Sequence, residues 1–342
     1  MKRDRVLVLY DEDEEYAGLM GEYLLGCRNL PWKIAVCTSS EDLKKTCEMR
    51  SPDMLVVSGS CYGKKTELTG AVQTVILNDH PGGISEELSG EDGKGVLQRV
   101  EKYQAADETL RHLLELYAGK ACDDDSASPG TDKEKAKLIG VFSPVRRCYQ
   151  TTFSVLMGRI LSARSRVLYL SFEFCEGCEE LISQDGAKNL SDLMYFIKSP
   201  PSVFSIRFRS MVRTISGLDY IPAALSGTDL SEIPEEEWRI FLNRICQAEG
   251  YSYVILDLSE SIRGIFGILR MCDRIYTLTR HDKVAKRKIE NYEFVLGMYE
   301  YSDVRDKSIK CCPPYVGRVP LFSDDLVSGE LVNYIRDQIG AL

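Results

Sequence analysis

Residues 137–161 read KLIGVFSPVRRCYQTTFSVLMGRIL, and the fold turns on this stretch. LIGVFS (138–143) is a short apolar, partly β-branched run that predicts a strand. A loop follows, and from Thr151 and Thr152 to about Ser162 the apolar spacing predicts a helix. A strand, tight loop and helix in this order can cradle phosphate when loop glycines adopt positive φ and a lysine adds charge. Here the loop is Val145-Arg146-Arg147-Cys148-Tyr149-Gln150, with neither glycine nor lysine. Left-handed backbone costs a residue bearing a Cβ roughly 1–2 kcal/mol. The expectation is therefore that the cradle does not take its usual shape.

Downstream, a second strand, RVLYLSFE, ends at Glu173, and YSYVILDLS ends at Asp257. This order and spacing resemble the ParA and MinD group of P-loop ATPases. Under that resemblance the family's catalytic lysine falls on Gln150, its two upstream glycines on Arg146 and Arg147, and the glycine before the lysine on Tyr149. The dimer-bridging lysine falls on Val145, and Asp257 matches the Walker B aspartate that holds magnesium through water. The water-orienting acid is replaced by Ser171, with Glu173 two residues on. ATP and magnesium are thus the implied cofactors. Thr151 and Asp257 are the metal candidates; Arg146, Arg147, Gln150, Thr151 and Thr152 are the nucleotide candidates. Each has an ordinary structural alternative. A threonine at a helix start caps it, a strand-end aspartate caps the next turn, and two loop arginines can be solvated, touch a partner or clamp phosphate themselves.

Ahead of this domain, GKACDDDSASPGTDKEKAK has the acidic, small-residue and proline content of a solvated linker. The expected organisation is a domain over 1–118, a linker over 119–136 and a domain over 137–342. The first carries 14 basic against 21 acidic residues, the last 26 against 26, a balance that argues against nucleic-acid binding by the N-terminal part. No apolar run approaches 18 residues and the basic N-terminus has no signal-peptide core, so a cytoplasmic chain without membrane insertion is expected. Its 12 cysteines are scattered through the chain, which reads as reduced thiols.

Within 1–118, VLVLY (6–10), WKIAVC (32–37), DMLVVS (53–58), TVILN (74–78) and GVLQRV (95–100) predict strands. EEYAGLMGEYLL and SSEDLKKTCEM predict intervening amphipathic helices. Alternating strands and helices favour a parallel sheet covered on both faces. The order resembles the receiver domain of response regulators, with Asp11, Glu12 and Asp13 after the first strand and Lys102 after the fifth. The family's phosphoacceptor position holds Ser58, which cannot form an acyl phosphate. The resemblance thus implies a CheY-like pseudo-receiver used for docking. The acids have a plainer reading too, as residues stabilised at a helix start by its dipole.

Taken together, the pseudo-receiver, linker, FSP with a deviant loop, LSDLMYFIKS (190–199), GLDYIPAALSGTDLSEI (217–233), VILDLS and CDRIYTLTRHDK (272–283) resemble the TadZ/CpaE-like proteins of Flp pilus assembly. The resemblance implies an α/β chain of two doubly wound domains, acting as a homodimer that localises pilus or secretion machinery, with recruitment to a cell pole or membrane-bound pilus machine as the implied location. With its altered loop, this chain is expected to be a scaffold that has lost ATP hydrolysis. The alternative is an ATP-dependent dimerisation switch with a rewired site. RHDK (280–283) stands where related ATPases approach the base or dimer partner, or is a charged turn. Zinc at Cys175/Cys178 and Cys311/Cys312 would need both pairs together, and the CxxC lacks the helix-start context of a redox motif. His80, His112 and His281 give histidine catalysis little to draw on. Leu326, Leu331, Ile335 and Ile339 predict a terminal helix packed on the sheet, too acidic for membrane binding.

Overall fold

The computed structural model describes residues 5–27, 30–62, 71–79, 88–89, 96–120, 135–181, 188–247, 250–317, 321–322 and 329–340. It divides into two compact units, Met1–Asp125 and Ser126–Leu342. Most of the expected linker, residues 121–134, lies outside the described residues, as does His80.

The first unit holds β1 (Val6–Tyr10), α1 (Glu14–Gly26), β2 (Lys33–Cys37), α2 (Ser40–Met49), β3 (Met54–Ser58), α3 (Gly59–Tyr62), β4 (Gln73–Asn78), β5 (Leu88–Ser89), β6 (Val96–Glu101) and α4 (Ala106–Lys120). The sheet order is β2-β1-β3-β4-β6-β5, parallel throughout except at the β5 edge. β1 and β3 are buried along their whole length, as unbroken apolar runs must be in a sheet covered on both faces. Both predicted helices form where expected. Asp13 caps α1 by accepting from Tyr16 N, and Ser39 caps α2 by accepting from Asp42 N, satisfying amides that helix starts leave open.

The second unit contains β7 (Lys137–Phe142), α5 (Gln150–Ser162), β8 (Val167–Ser171), α6 (Leu190–Met194), α7 (Pro201–Met211), β9 (Arg213–Ile215), β10 (Leu218–Tyr220), α8 (Gly227–Ser231), α9 (Glu235–Gln247) and β11 (Tyr253–Leu258). The chain continues through α10 (Ile265–Met271), β12 (Arg274–Leu278), α11 (Lys283–Met298), α12 (Ser302–Asp306), β13 (Ser308–Cys311) and α13 (Glu330–Ile339). The sheet order is β13-β12-β7-β11-β8-β10-β9. Every pairing is parallel except β9 with β10.

Each face of this sheet has its own core. Trp238, Phe241, Phe204, Phe208 and Phe172 fill one; Phe153, Tyr169, Tyr276, Leu331 and Ile335 fill the other. Gly158 lets α5 lie close on the sheet, since a Cβ there would meet Leu218 Cδ1 at 2.9 Å. α13 packs against α5 through Leu331, Val332 and Ile335, as the terminal periodicity predicts; Leu326 lies outside the described residues. Among the described residues no helix is long and apolar enough to cross a membrane.

Candidate functional site

The ends of β7, β8 and β11 meet the start of α5, and the loop joining β7 to α5 departs from expectation. Arg146, Arg147 and Tyr149 take positive φ values of 66°, 52° and 60°. These are the positions that the resemblance sets against glycine, so the left-handed turns form without glycine. The Cβ penalty is met by local bonds rather than avoided. Ser143 Oγ accepts from Val145 N (3.2 Å) and Arg146 N (3.0 Å) and donates to Leu278 O at 2.8 Å. Tyr149 OH donates to Val316 O at 2.9 Å, and Cys148 Sγ to Arg146 O at 3.1 Å. Two loop amides are therefore already satisfied within the protein.

Gln150 opens α5, and its amide fills the space between two strand-end acids. Nε2 donates to Asp257 Oδ1 at 2.7 Å, to Leu258 O at 3.0 Å and to Glu173 Oε1 at 3.2 Å. An amide nitrogen has two hydrogens, so one of them is shared. Tyr169 OH donates to the other carboxylate oxygen, Asp257 Oδ2, at 3.0 Å.

Asp257 is fully buried. Burial pushes its carboxyl up to about 6, although bonds from Gln150 and Thr151 hold it down in part. Burial, with the Asp257 and Glu176 charges beside it, pushes Glu173 up to about 7. A neutral amide between two carboxylates cannot offset their charge as an ammonium would.

The remaining predicted residues are only partly brought together. Thr151 reaches Asp257 and does not cap α5, whose N-cap, Tyr149, makes no side-chain capping bond. Thr152 is half-buried in the same turn. Ser171 is buried, and its hydroxyl accepts from Glu173 N at 3.4 Å. Arg146 leaves the loop to form a two-point ion pair with Glu260, just beyond β11; Arg147 is exposed. Asp257 does not cap the turn that follows it. In RHDK, Asp282 caps α11 by accepting from Ala285 N at 2.8 Å, so the charged-turn reading accounts for that acid.

A magnesium–nucleotide phosphate does not fit these residues as they stand. Gln150, Thr151 and Tyr169 already bond the Asp257 carboxylate, and Ser143 takes two loop amides. Beside the loop lies a cavity of about 640 Å³ lined by Cys148, Tyr149, Arg280, His281, Cys312 and Tyr315, among others. Sequence reasoning singled out RHDK and Tyr149 but missed Tyr315 and the cavity, because the loop after β13 carries no periodic signal.

The first unit has a strand-end cluster of its own. Lys102 Nζ lies 2.7 Å from Asp11 Oδ2, 3.5 Å from Asp79 Oδ1 and 3.5 Å from Ser58 Oγ, with Lys102 and Asp11 both buried. Tyr16 and Tyr103 present ring faces to the ammonium at 4.7 and 5.3 Å. Burial lowers the lysine pKa, but the bond to Asp11 together with the charges of Asp11 and Asp79 outweighs it, and the net shift is upward. Asp79 was not foreseen, though its place directly after β4 was the available signal. Asp79 Oδ2 also accepts from Ser60 N at 3.1 Å.

Cys178 is buried, and its thiol is pushed up to about 12 chiefly by burial, whereas Cys175 is exposed. His112 shares a hydrogen bond with Gln104 at 3.3 Å. No group of metal-ligating side chains large enough to hold an ion occurs among the described residues.

No protein-family model matches this chain, and no curated protein does. Among solved structures, a ParA family ATPase from Chlorobium tepidum TLS aligns at 16% identity and TM-score 0.45, over 60% of this chain and 99% of that one. A plasmid partition protein from Borrelia burgdorferi B31 bound to AMPPNP aligns at 13% identity and TM-score 0.43, over 60% and 98%. Apo McdA from Cyanthece aligns at 16% identity and TM-score 0.41, over 60% and 83%. At these scores the likenesses carry no argument about family or activity, and the strand order and site geometry stand by themselves.

Proposed function

We propose that this chain is a localisation scaffold for a pilus or secretion machine of the Flp type. In this reading the first unit is a receiver-like docking module and the second a ParA/MinD-like platform that dimerises without hydrolysing ATP. The observation that carries the reading is the Gln150 amide bound to Asp257, Glu173 and Leu258 O. It stands where a nucleotide-gripping lysine would reach for phosphate, and it turns inward instead. For the first unit, support comes from the β2-β1-β3-β4-β6 parallel order, a doubly wound arrangement shared by receiver-like folds. Ser58 sits at the end of β3 with Lys102 and Asp11 beside it, and a serine there makes docking independent of acyl phosphate.

Phosphate release from ATP with magnesium tests the platform reading, alongside imaging of the tagged protein in cells. The expected result is no release above buffer, with a focus at the assembly site that persists in Asp257→Asn. Turnover that Asp257→Asn abolishes would overturn it.

A second reading, an ATP-dependent dimerisation switch with a rewired site, has one feature in its favour. The left-handed turns at Arg146, Arg147 and Tyr149 keep the backbone shape of a phosphate cradle. It requires Gln150 and Ser143 to surrender their present bonds when nucleotide enters.

A further inference from the structure

α1 is an acidic helix with an apolar strip left open beside its buried face. Residues 6–27 carry six carboxylates and no basic side chain. Ala17, Met20, Gly21 and Leu24 face the core. At 3.6 residues per turn, Tyr16, Leu19 and Tyr23 fall within a sector of about 60° next to that face, and Glu15 and Glu22 form a row along their outer side. Leu19 is 65% exposed, while Tyr16 and Tyr23 are half-buried. Tyr103, 68% exposed, extends the strip beyond the helix, its ring 6.2 Å from that of Tyr16.

Acid stands on the far side of the strip as well. α4 packs against α1, and Asp107 lies in its first turn. Burial, Cys27 and the charge of Asp107 push the Tyr23 phenol upward, which sets Asp107 beside that ring. The cations closest in sequence are engaged elsewhere: Lys102 is buried against Asp11, and Arg111 pairs with Glu108 at 3.0 Å. An apolar strip walled by carboxylates repels phosphate-rich surfaces and a second copy of itself. It complements a helix whose own apolar line, at i, i+3, i+4 and i+7 spacing, is flanked by lysine or arginine.

We propose that this strip docks a basic amphipathic helix of a partner protein, laid along α1 between the Glu15–Glu22 row and Asp107. The proposal rests on the reading of the first unit as a docking module and names the chemistry of what docks there. It uses no residue of the Gln150 site.

The test is fluorescence anisotropy of a labelled synthetic leucine–lysine helix, with its leucines on one face, titrated with the full chain at physiological salt. Saturable binding is expected, and a helix with glutamate in place of lysine should not bind. Leu19→Ser with Tyr103→Ser should weaken binding by about tenfold or more, as loss of apolar anchors does. Glu15→Lys with Glu22→Lys should release the lysine helix and capture the glutamate helix instead, a swap that mere misfolding would not give. Glu41→Lys with Glu48→Lys, exposed positions on α2, makes the same change in net charge and should leave binding at the wild-type level. Absence of saturable binding overturns the proposal, as does binding that the serine variant leaves unchanged or that the α2 variant weakens equally. Self-association that the serine variant loses would give the strip to a second copy and overturn it too. Imaging the tagged serine variant separates this outcome from the scaffold reading: a focus lost together with helix binding supports the proposal, and a focus that persists overturns it while the scaffold reading stands.

Discussion

Gln150 Nε2 donates to Asp257 Oδ1 over 2.7 Å, and this bond joins the first residue of α5 to the end of β11. It places a neutral donor where the charge of two acids calls for a cation. The site is thereby closed on itself and tuned to hold protons near neutrality.

That tuning has a pH signature. Asp257 rises from 3.8 to about 6 and Glu173 from 4.5 to about 7 on folding. A raised folded-state pKa contributes stability that is complete below the unfolded value and is lost as pH rises through the folded value. The stability these two acids add is therefore present at about pH 4 and gone by about pH 8. Each can contribute a slope of at most about 1.4 kcal/mol per pH unit. Denaturant titrations between pH 4.5 and 8 should show a shallower fall in Asp257→Asn and Glu173→Gln than in wild type. Parallel curves would contradict the assignment.

Gln150→Lys places an ammonium between the same carboxylates and should invert the effect. At pH 8 the variant gains an ion pair and is expected to melt above wild type. At pH 5, where the acids hold protons, its cation is poorly compensated and it is expected to melt below. Thermal unfolding at the two pH values checks the crossover.

The loop stores backbone strain at Arg147, with φ 52°. Arg147→Gly removes the Cβ at a compatible site, and the gain outweighs the extra freedom of the unfolded chain. It should stabilise by about 0.5–1 kcal/mol. Arg147→Val, β-branched at the same φ, should cost more than about 1 kcal/mol. Tyr149→Gly should destabilise despite its positive φ, because the hydrogen bond to Val316 O is lost.

Lys102 neutralises Asp11 and Asp79 in the first unit. Lys102→Met leaves the buried Asp11 carboxylate uncompensated and is expected to cost on the order of 3–5 kcal/mol. Adding Asp11→Asn should recover part of the loss, since breaking a buried pair costs more than removing both members. Urea denaturation of the two variants measures the difference.

Apolar runs and their spacing made the strands and most helices of both units legible, because burial on both sheet faces demands unbroken β-branched segments. VLVLY, LIGVFS and VILDLS lie where they were read. The importance of Gln150 was legible as a position, but its three acceptors were not, because they come from two strands and only the sheet order unites them. Residue type misled at Arg146, Arg147 and Tyr149. Propensity forbids left-handed backbone there, yet the Ser143 hydroxyl and the Tyr149–Val316 bond hold it. Asp79 and Glu260 were missed because one strand end or charged turn resembles another until a partner is placed beside it.

The most direct measurement is calorimetric titration of the purified chain with ATP and magnesium, run beside the Arg146→Ala, Arg147→Ala double variant. The account predicts no binding heat up to millimolar ATP for either protein, because Gln150 and Ser143 already hold the groups that would meet phosphate. Magnesium-dependent binding by wild type that the double variant loses would contradict it and establish the rewired switch.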